Sequence, residues 1–446
     1  MSTATAQRVT AAFRSGPLAS RSFRLLAAGQ FASTIGDYCY AVALPWLVLS
    51  NHGSTVLLGI VLACYGVPRI ISMPVGGALA DKIGPRTLML FADLMRCALV
   101  GVLTFLAARH TASLVTLGPT AALIGAGEGL FLPASYTLMP SLLDEGRLAA
   151  GNALSSAAVQ IGSLIGPALG GALVATTGAS TAAMGVDAAS FAISALSLVL
   201  IPRRPAAGSM AAGWAHAADS PATTADSLTG QADAGPASTD TAEPADRPQS
   251  VVAYIRNSRA MQIVLLTAIV MNMANGGVIE VALPALAHAR WGAGGYGALL
   301  ACLAGGAVIG TLAAARTGRM RIQGYIASLA FIIEGAAMSL MPFLGGEVGA
   351  AIALLFIGAC SGAGGVIFFT IAQRQTPPAI LGRVMSVIIM CGVGAFPLSV
   401  VVTGLLIRHF GTTPFFLLAG IILILAIFGG NTQRDFRDFA TLPELS

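Results

Sequence analysis

Apolar residues run through this chain in stretches about as long as a bilayer is thick, and polar residues collect in the short gaps between them. Roughly 20 apolar residues, rising 1.5 Å each as a helix, cross about 30 Å of hydrocarbon. Twelve such stretches occur, at 24–50, 56–80, 87–108, 114–139, 148–175, 181–201, 260–287, 295–315, 322–344, 348–373, 384–407 and 412–430. The pattern predicts an all-α membrane protein of twelve transmembrane helices. The hydrophobic pattern breaks at residues 202–256. That segment is rich in Ala, Ser, Thr, Pro and Asp, has little apolar surface to bury, and reads as a disordered linker.

Composition agrees with the pattern. Hydrophobic residues make up 56% of the 446 and charged residues only 10%, against about 25% charged in a soluble domain. The basic residues add an orientation. With the N-terminus inside the cell, 19 of the 24 Lys and Arg residues fall in cytoplasmic segments, and only Arg109, Arg290 and Arg408 fall outside. This is the asymmetry that sets membrane topology, and it excludes a nucleic-acid reading of the basic balance. Residues 1–22 carry Arg8, Arg14 and Arg21 without an apolar core or cleavage site, so they read as a cytoplasmic tail and not a secretory signal. The six cysteines lie inside spans without metal-ligand spacing and read as reduced packing residues.

The linker separates two halves that echo one another. Val42-Ala-Leu-Pro45 in the first span recurs as Val281-Ala-Leu-Pro284 in the seventh. Gly125-Ala-Gly127 followed by Phe131 recurs as Gly362-Ala-Gly364 followed by Phe368, and Pro140 with Arg147 recurs as Pro377 with Arg383. Three echoes in order predict parallel six-helix repeats: a tail 1–22, a bundle 23–201, the linker 202–256, a bundle 257–430 and a tail 431–446. Such repeats place a substrate path between the bundles near the midplane.

Two segments carry a specific signal. In the fifth span, Gly162, Gly166 and Gly170 form an i, i+4, i+8 stripe without side chains, with Gly171 beside it and Pro167 interrupting the backbone ladder. A bare stripe lets another helix approach closely, and the proline invites a bend. Between spans 2 and 3 runs Gly77-Ala-Leu79-Ala-Asp81-Lys82-Ile-Gly84-Pro85-Arg86. Gly84 and Pro85 suit a tight turn, and Asp81 lies near a helix C-terminus, where an acid needs a compensating positive partner. The first segment resembles the fifth-helix signature of antiporters in the major facilitator superfamily, and the second resembles that superfamily's cytoplasmic loop motif. Pro85 departs from the motif where an arginine is usual, leaving Arg86 to serve alone.

The resemblance covers nearly the whole chain outside the tails and linker. Phe23-Arg24-Leu25-Leu26, Gly29-Gln30, Gly36-Asp37 and Leu44-Pro45-Trp46 look like the first span of the macrolide-efflux and enterobactin-exporter branch. Leu132-Pro133-Ala134, Asn152-Ala153, Gln375-Thr376-Pro377 and Leu381-Gly382-Arg383-Val384 resemble it elsewhere. The resemblance implies a twelve-helix proton-coupled exporter in which Gly77, Asp81, Gly84 and Arg86 form a cytoplasmic gate loop and the glycine-rich fifth span seals the path. It departs in span 4, where many drug antiporters carry an arginine and this chain has Glu128 as its only charge.

Ionisable residues inside the bilayer are costly and are candidates for function. Asp37, Arg69, Asp93, Arg96 and Glu128, from four spans, fall in one layer of the first half. Asp93 and Arg96 share a helix face. If Asp93 neutralises Arg96 and Asp37 neutralises Arg69, Glu128 is left over, an acid that can load and release a proton. Glu128 and Asp37 are therefore the proton-coupling candidates, with Arg69, Asp93 and Arg96 as buried partners. A structural alternative stands beside this: the pairs brace the bundle and Glu128 hydrogen-bonds to neighbours. Glu280, after Asn275-Gly276-Gly277, reads as an outer-gate candidate following a flexible stretch. Glu334 lies at mid-depth on a peripheral span, and Asp187 reads as structural.

The expectation is a secondary transporter that exports a bulky, largely apolar, antibiotic- or siderophore-like molecule in exchange for protons. The cavity is expected to be lined mostly by Ala, Leu, Val, Phe and Tyr. The protein would be monomeric and multi-pass in a bacterial plasma membrane, with both termini cytoplasmic. Its partners would be a small-molecule substrate, protons and the lipid bilayer, with no nucleic acid, cofactor or metal. An importer or uniporter of the same fold and a non-transporting membrane sensor are the rivals. No phosphate-loop motif for primary transport and no nucleophile–base constellation for an enzyme occurs.

Overall fold

A computed structural model describes residues 16–51, 53–109, 111, 113–202, 251–316, 323–376 and 380–432. Among these, twelve helices are long and apolar enough to cross a membrane. In the first half they are α1 (Arg21–Ser50), α2 (Thr55–Ile83), α3 (Pro85–Ala108), α4 (Leu114–Leu142), α5 (Glu145–Thr177) and α6 (Thr181–Leu200). In the second half α7 runs from Arg259–Gly277 through a π-helical segment, Val278–Ala282, into Leu283–Arg290. It is followed by α8 (Gly292–Arg316), α9 (Gln323–Leu340), α10 (Gly346–Gln375), α11 (Leu381–Phe410) and α12 (Thr412–Thr432).

Local signals set several boundaries. The side chains of Ser20, Ser54 and Ser258 accept hydrogen bonds from the backbone N–H groups of Phe23, Leu57 and Met261, capping α1, α2 and α7. Gly84 ends α2 at φ 87°, a conformation that favours glycine, and Pro85 opens α3 at its first position. The expected linker lies mostly outside the described residues, as do most of both tails. Its last residues are helical, because Val251–Asn257 forms a short helix. The apolar run there escapes the composition of the rest of the segment, and Tyr254 and Ile255 pack against a cluster that includes Met261 and Val264. Asn275, Gly276 and Gly277, expected to be flexible, are helical, and both glycines pack against α11.

The halves repeat in three dimensions. In the first, α1 packs on α5 and α6, α2 on α4, and α3 on α4 and α6; in the second, α7 packs on α11 and α12, α8 on α10, and α9 on α10 and α12. The sequence echo has one packing role in both. Gly125 abuts the Tyr65 carbonyl of α2 and Gly127 the Arg96 side chain of α3, while Gly362 abuts the Ala307 carbonyl of α8 and Gly364 the Phe331 ring of α9. The halves meet along α5 with α8 and α2 with α11, two contacts that exchange under the same repeat.

Those contacts cluster toward one end. The C-terminal part of α5 meets the N-terminal part of α8 where Gly171 faces Gly297. The N-terminal part of α2 meets the C-terminal part of α11 where Thr55 Oγ1 donates to the Gly404 carbonyl at 3.1 Å. At the same end His288 Nε2 of α7 lies 3.3 Å from Ser50 Oγ, and its ring meets that of Trp46 at 4.7 Å between centroids, tilted by 54°. Among the described residues, the bundles part at the opposite end, which carries Asp81, Lys82 and Arg86.

Candidate functional site

A cavity of about 710 Å³ lies between the bundles. Leu44, Pro45, Leu62, Glu280 and Phe396 form its ceiling beneath the closed end, and Gln30, Ser135, Met139 and Asn152 lie toward the open end. The lining is more polar than expected. Gln30, Ser33, Asn152, Ser155, Ser156 and Gln160 join the apolar and aromatic residues. Polar positions on α5 are sparse along the sequence, but they lie on one side of the helix, so the fold gathers them onto a single wall.

The five charges converge as expected, but their pairing differs. Arg96 Nη2 donates to Asp93 Oδ1 at 2.7 Å, and Asp93 Oδ2 accepts from Ser194 Oγ at 2.6 Å, tying α3 to α6. Asp93 is fully buried and Arg96 is 2% exposed, with its guanidinium 4.8 Å from the Phe131 ring centroid and 4.3 Å from that of Phe191. Between two aromatic faces and bound to a carboxylate, this cation is committed.

Arg69 pairs with Glu128, not Asp37. Its Nη2 lies 3.0 Å from Glu128 Oε1, and the Tyr65 hydroxyl donates to Glu128 Oε2. The reason is backbone proximity. Gly125 and Gly129 of α4 leave room for the backbone of α2 at Tyr65 and Arg69, and the two side chains meet across that contact. The expectation that Glu128 is the acid left over is therefore corrected. Asp37 is the loosely held carboxylate: its nearest cation, Arg96 Nη1, is 3.9 Å away, Ser33 Oγ donates at 3.5 Å, and 47% of its side chain is open to the cavity.

The glycine stripe is also placed differently. Cβ atoms built at Gly162, Gly166 and Gly170 would meet Thr34, Tyr38 and the backbone of Cys39, all on α1 of the same bundle. Cys39 Sγ donates to the Gly166 carbonyl at 3.2 Å. Only the neighbouring residues reach across. A Cβ at Gly171 would lie 2.8 Å from Gly297 Cα, and one at Gly297 would lie 2.3 Å from the Pro167 carbonyl oxygen. The stripe seats α1, while Pro167 and Gly171 make the contact between halves.

In the loop motif, Asp81 and Lys82 are exposed at the open end, and no Cβ contact restricts Gly77 or Gly84. Arg86 Nε and Nη2 donate to the carbonyls of Leu198 and Val199 at 2.7 and 2.9 Å. The residue expected to serve alone thus caps the C-terminus of α6, where backbone carbonyls are unsatisfied and the helix dipole favours a cation. Glu280 lines the cavity ceiling from the π-helical segment, and the closing contacts above it belong to Trp46, Ser50 and His288. Ser50, His288 and Tyr65 were not singled out from the sequence, and Trp46 entered only as part of the first-span motif. Tyr65 had a legible signal, one turn before Arg69 on the same helix face.

Among the described residues, the second half carries one buried acid away from the cavity lining. Glu334 is 0% exposed, and its Oε1 accepts from Asn275 Nδ2 at 2.9 Å, linking α9 to α7.

Comparison with known proteins gives this arrangement a context. The multidrug efflux pump Tap of Mycolicibacterium fortuitum is 31% identical over 192 residues, 42% of this chain and 45% of that protein. The enterobactin exporter EntS of Shigella boydii serotype 4 is 25% identical over 374 residues, 81% of this chain and 80% of that protein. A solved structure of a D-xylose-proton symporter superposes with a TM-score of 0.66 at 14% identity, covering 91% of this chain and 96% of that one; at that identity the likeness concerns the fold. The model of one transporter family matches residues 26–399, which run from α1 into α11 and include every charged residue of the cavity lining. With twelve apolar helices in two repeats around a central cavity, this multi-pass membrane chain belongs to the Major Facilitator Superfamily.

Proposed function

We propose that the protein is a proton-coupled exporter that moves a bulky amphipathic molecule by alternating access. The observation that carries this reading is Asp37. It is a carboxylate half-open to a drug-sized cavity, with no cation nearer than 3.9 Å, in a bundle whose other mid-depth arginine is already bound to Glu128. An acid so placed can hold either a proton or the positive group of a substrate, and competition between the two is what exchange requires. The cavity lies within the roughly 300–1,000 Å³ of small-molecule sites. Four acids, Asp37, Glu128, Asp187 and Glu280, share its lining with Arg69 and the committed Arg96. That excess favours a substrate with an apolar body and a cationic group over a wholly apolar one.

Outward direction is supported by the relatives named as efflux pump and exporter. The arginine asymmetry supports both termini in the cytoplasm of a bacterial plasma membrane, so the open end of the cavity is the cytoplasmic one. The exposed Asp81 fits this state. With the bundles parted, the acid of the gate loop has no described residue of the second bundle against it, and closing that end would bring that bundle nearer.

The test uses proteoliposomes, an imposed pH gradient and ethidium as probe. Ethidium is expected to move opposite to the proton gradient. Movement with the gradient would make the protein a symporter like the xylose transporter of the same fold, and transport indifferent to the gradient would remove the coupling. Asp37→Asn is expected to abolish the driven component while retaining binding. Glu128→Gln is expected to weaken both, because it leaves Arg69 without its carboxylate. A normally driven Asp37→Asn protein would return the coupling role to Glu128.

A further inference from the structure

We propose that Asp187 of α6 is a second proton-holding carboxyl, lying behind Asp37 in the wall of the cavity and exchanging its proton with it. Asp187 is 1% exposed, yet it lies on the cavity wall. Its Oδ1 has no hydrogen-bond partner among the described residues. That oxygen rests against the bare Cα of Gly36, where an added Cβ would lie 2.8 Å from it. One turn further along α1, the buried hydroxyl of Tyr40 is also without a partner. Buried polar atoms are rarely left so, and each asks for an occupant. A donor and an acceptor without partners, both on the wall of the cavity, mark a place where a proton or a water can be held.

Charge accounting leads the same way. From α1, Asp187 faces Asp37, Cys39 and Tyr40, and from α3 it faces Arg96 and Cys97, with Glu128 of α4 further off. Beyond its first turn, α5 carries no ionisable residue. The one cation in this set, Arg96, is bound to Asp93 at 2.7 Å and held between two rings. Ser190, on the same helix, donates its hydroxyl to the Asp187 backbone carbonyl at 2.7 Å, close beside the carboxyl. An ionised carboxylate buried with an unpaired oxygen and no cation of its own costs several kcal/mol, and such a group takes up a proton instead. Arg96 compensates one acid, Asp93, and leaves two, Asp37 and Asp187; Asp37 is half-open to the cavity and can stay ionised, so the buried Asp187 holds the one proton of the pair. The exchange balances: the O–H bond on Asp187 breaks, the proton binds Asp37, one carboxylate is consumed and one is formed. Asp37, open to the cavity, trades its proton with the mouth or yields to substrate, and Asp187 restores it.

The occupancy of Asp187 stands without the exporter reading; only the use of the proton rests on it. Infrared spectroscopy of the full chain in liposomes near neutral pH tests the first. A carboxylic-acid C=O band is expected that shifts in D2O, shifts with [4-13C]aspartate labelling, disappears in D187N and persists in D37N. No label-sensitive acid band in the wild type, or one retained in D187N, would overturn the proposal. Should D187N fail to insert, D37N carries the assignment: a labelled band that persists supports Asp187, and one that vanishes overturns it. A transport arm with ethidium follows the proton. D187N is expected to retain ethidium counterflow without a gradient and to lose the pH-driven component. A D187N protein driven as well as the wild type refutes the exchange with Asp37, whereas a wild type that never responds to the gradient refutes the exporter reading and leaves the infrared result to decide the occupancy.

Discussion

Replacing Gly171 by alanine should loosen the closed end of the cavity and shift the protein away from the state described above. A methyl group there would lie 2.7 Å from the Ala293 carbonyl oxygen and 2.8 Å from Gly297 Cα. Carbon atoms pack at about 3.5–4.0 Å, so α5 and α8 would have to separate by roughly 1 Å. Both neighbours are backbone atoms, so no side chain can rotate out of the way. Overpacking of this kind costs about 1–3 kcal/mol. Gly171 contacts the other bundle, so that cost falls on the state in which the bundles are closed at this end. A bias of this size moves a two-state equilibrium by about 5–150-fold. The assay is cross-linking between cysteines placed at Ser50 and His288, whose side chains lie 3.3 Å apart, in a background without the native cysteines. The yield should fall in Gly171→Ala and further in Gly171→Leu. Gly101→Ala, where an added Cβ meets nothing within 4 Å, should leave it unchanged. An unchanged yield in both Gly171 variants would refute the argument that this contact closes the end.

Gly166→Leu should act within one bundle. Its Cβ would lie 2.5 Å from Tyr38 Cβ and 2.9 Å from the Ile35 carbonyl oxygen, so a loss of roughly 3 kcal/mol should appear as a lowered melting temperature in detergent, with transport failing as a consequence. Arg86→Ala should free two carbonyls of α6 and cost about 1–2 kcal/mol, also read by thermal melting, while Arg86→Lys should restore only part because one ammonium cannot reproduce the fork. A cysteine at Asp226, outside the described residues, should react with an impermeant reagent only from the cytoplasmic side; labelling of intact cells would reverse the topology.

Much of this protein is legible along the chain because a bilayer imposes one-dimensional rules. An apolar run long enough to cross hydrocarbon must satisfy its own backbone, so the twelve spans follow from length and composition. Local contacts are legible for a related reason. Asp93 and Arg96 are three residues apart on one helix, so their pairing at 2.7 Å needs no partner helix to decide it. The turn at Gly84-Pro85 likewise follows from residue type. The echo between halves predicted the repeat, and its glycines turned out to serve the same close approach in both.

What only the tertiary structure decided is how each helix is rotated about its own axis and how deeply neighbours interlock. Depth along a helix can be counted from a sequence; azimuth against another helix cannot, because it depends on which side chains are small enough to let backbones touch. Gly125 and Gly129 bring α4 against α2 and so give Arg69 to Glu128, leaving Asp37 open. The stripe at Gly162, Gly166 and Gly170 was visible as a stripe, but that it faces α1 while Gly171 faces the other bundle is a matter of rotation by a single residue. Asp187 shows the same limit: the chain places it near one end of its span, and only the packing of α6 on Gly36 turns it inward, buried, toward the acid it would serve.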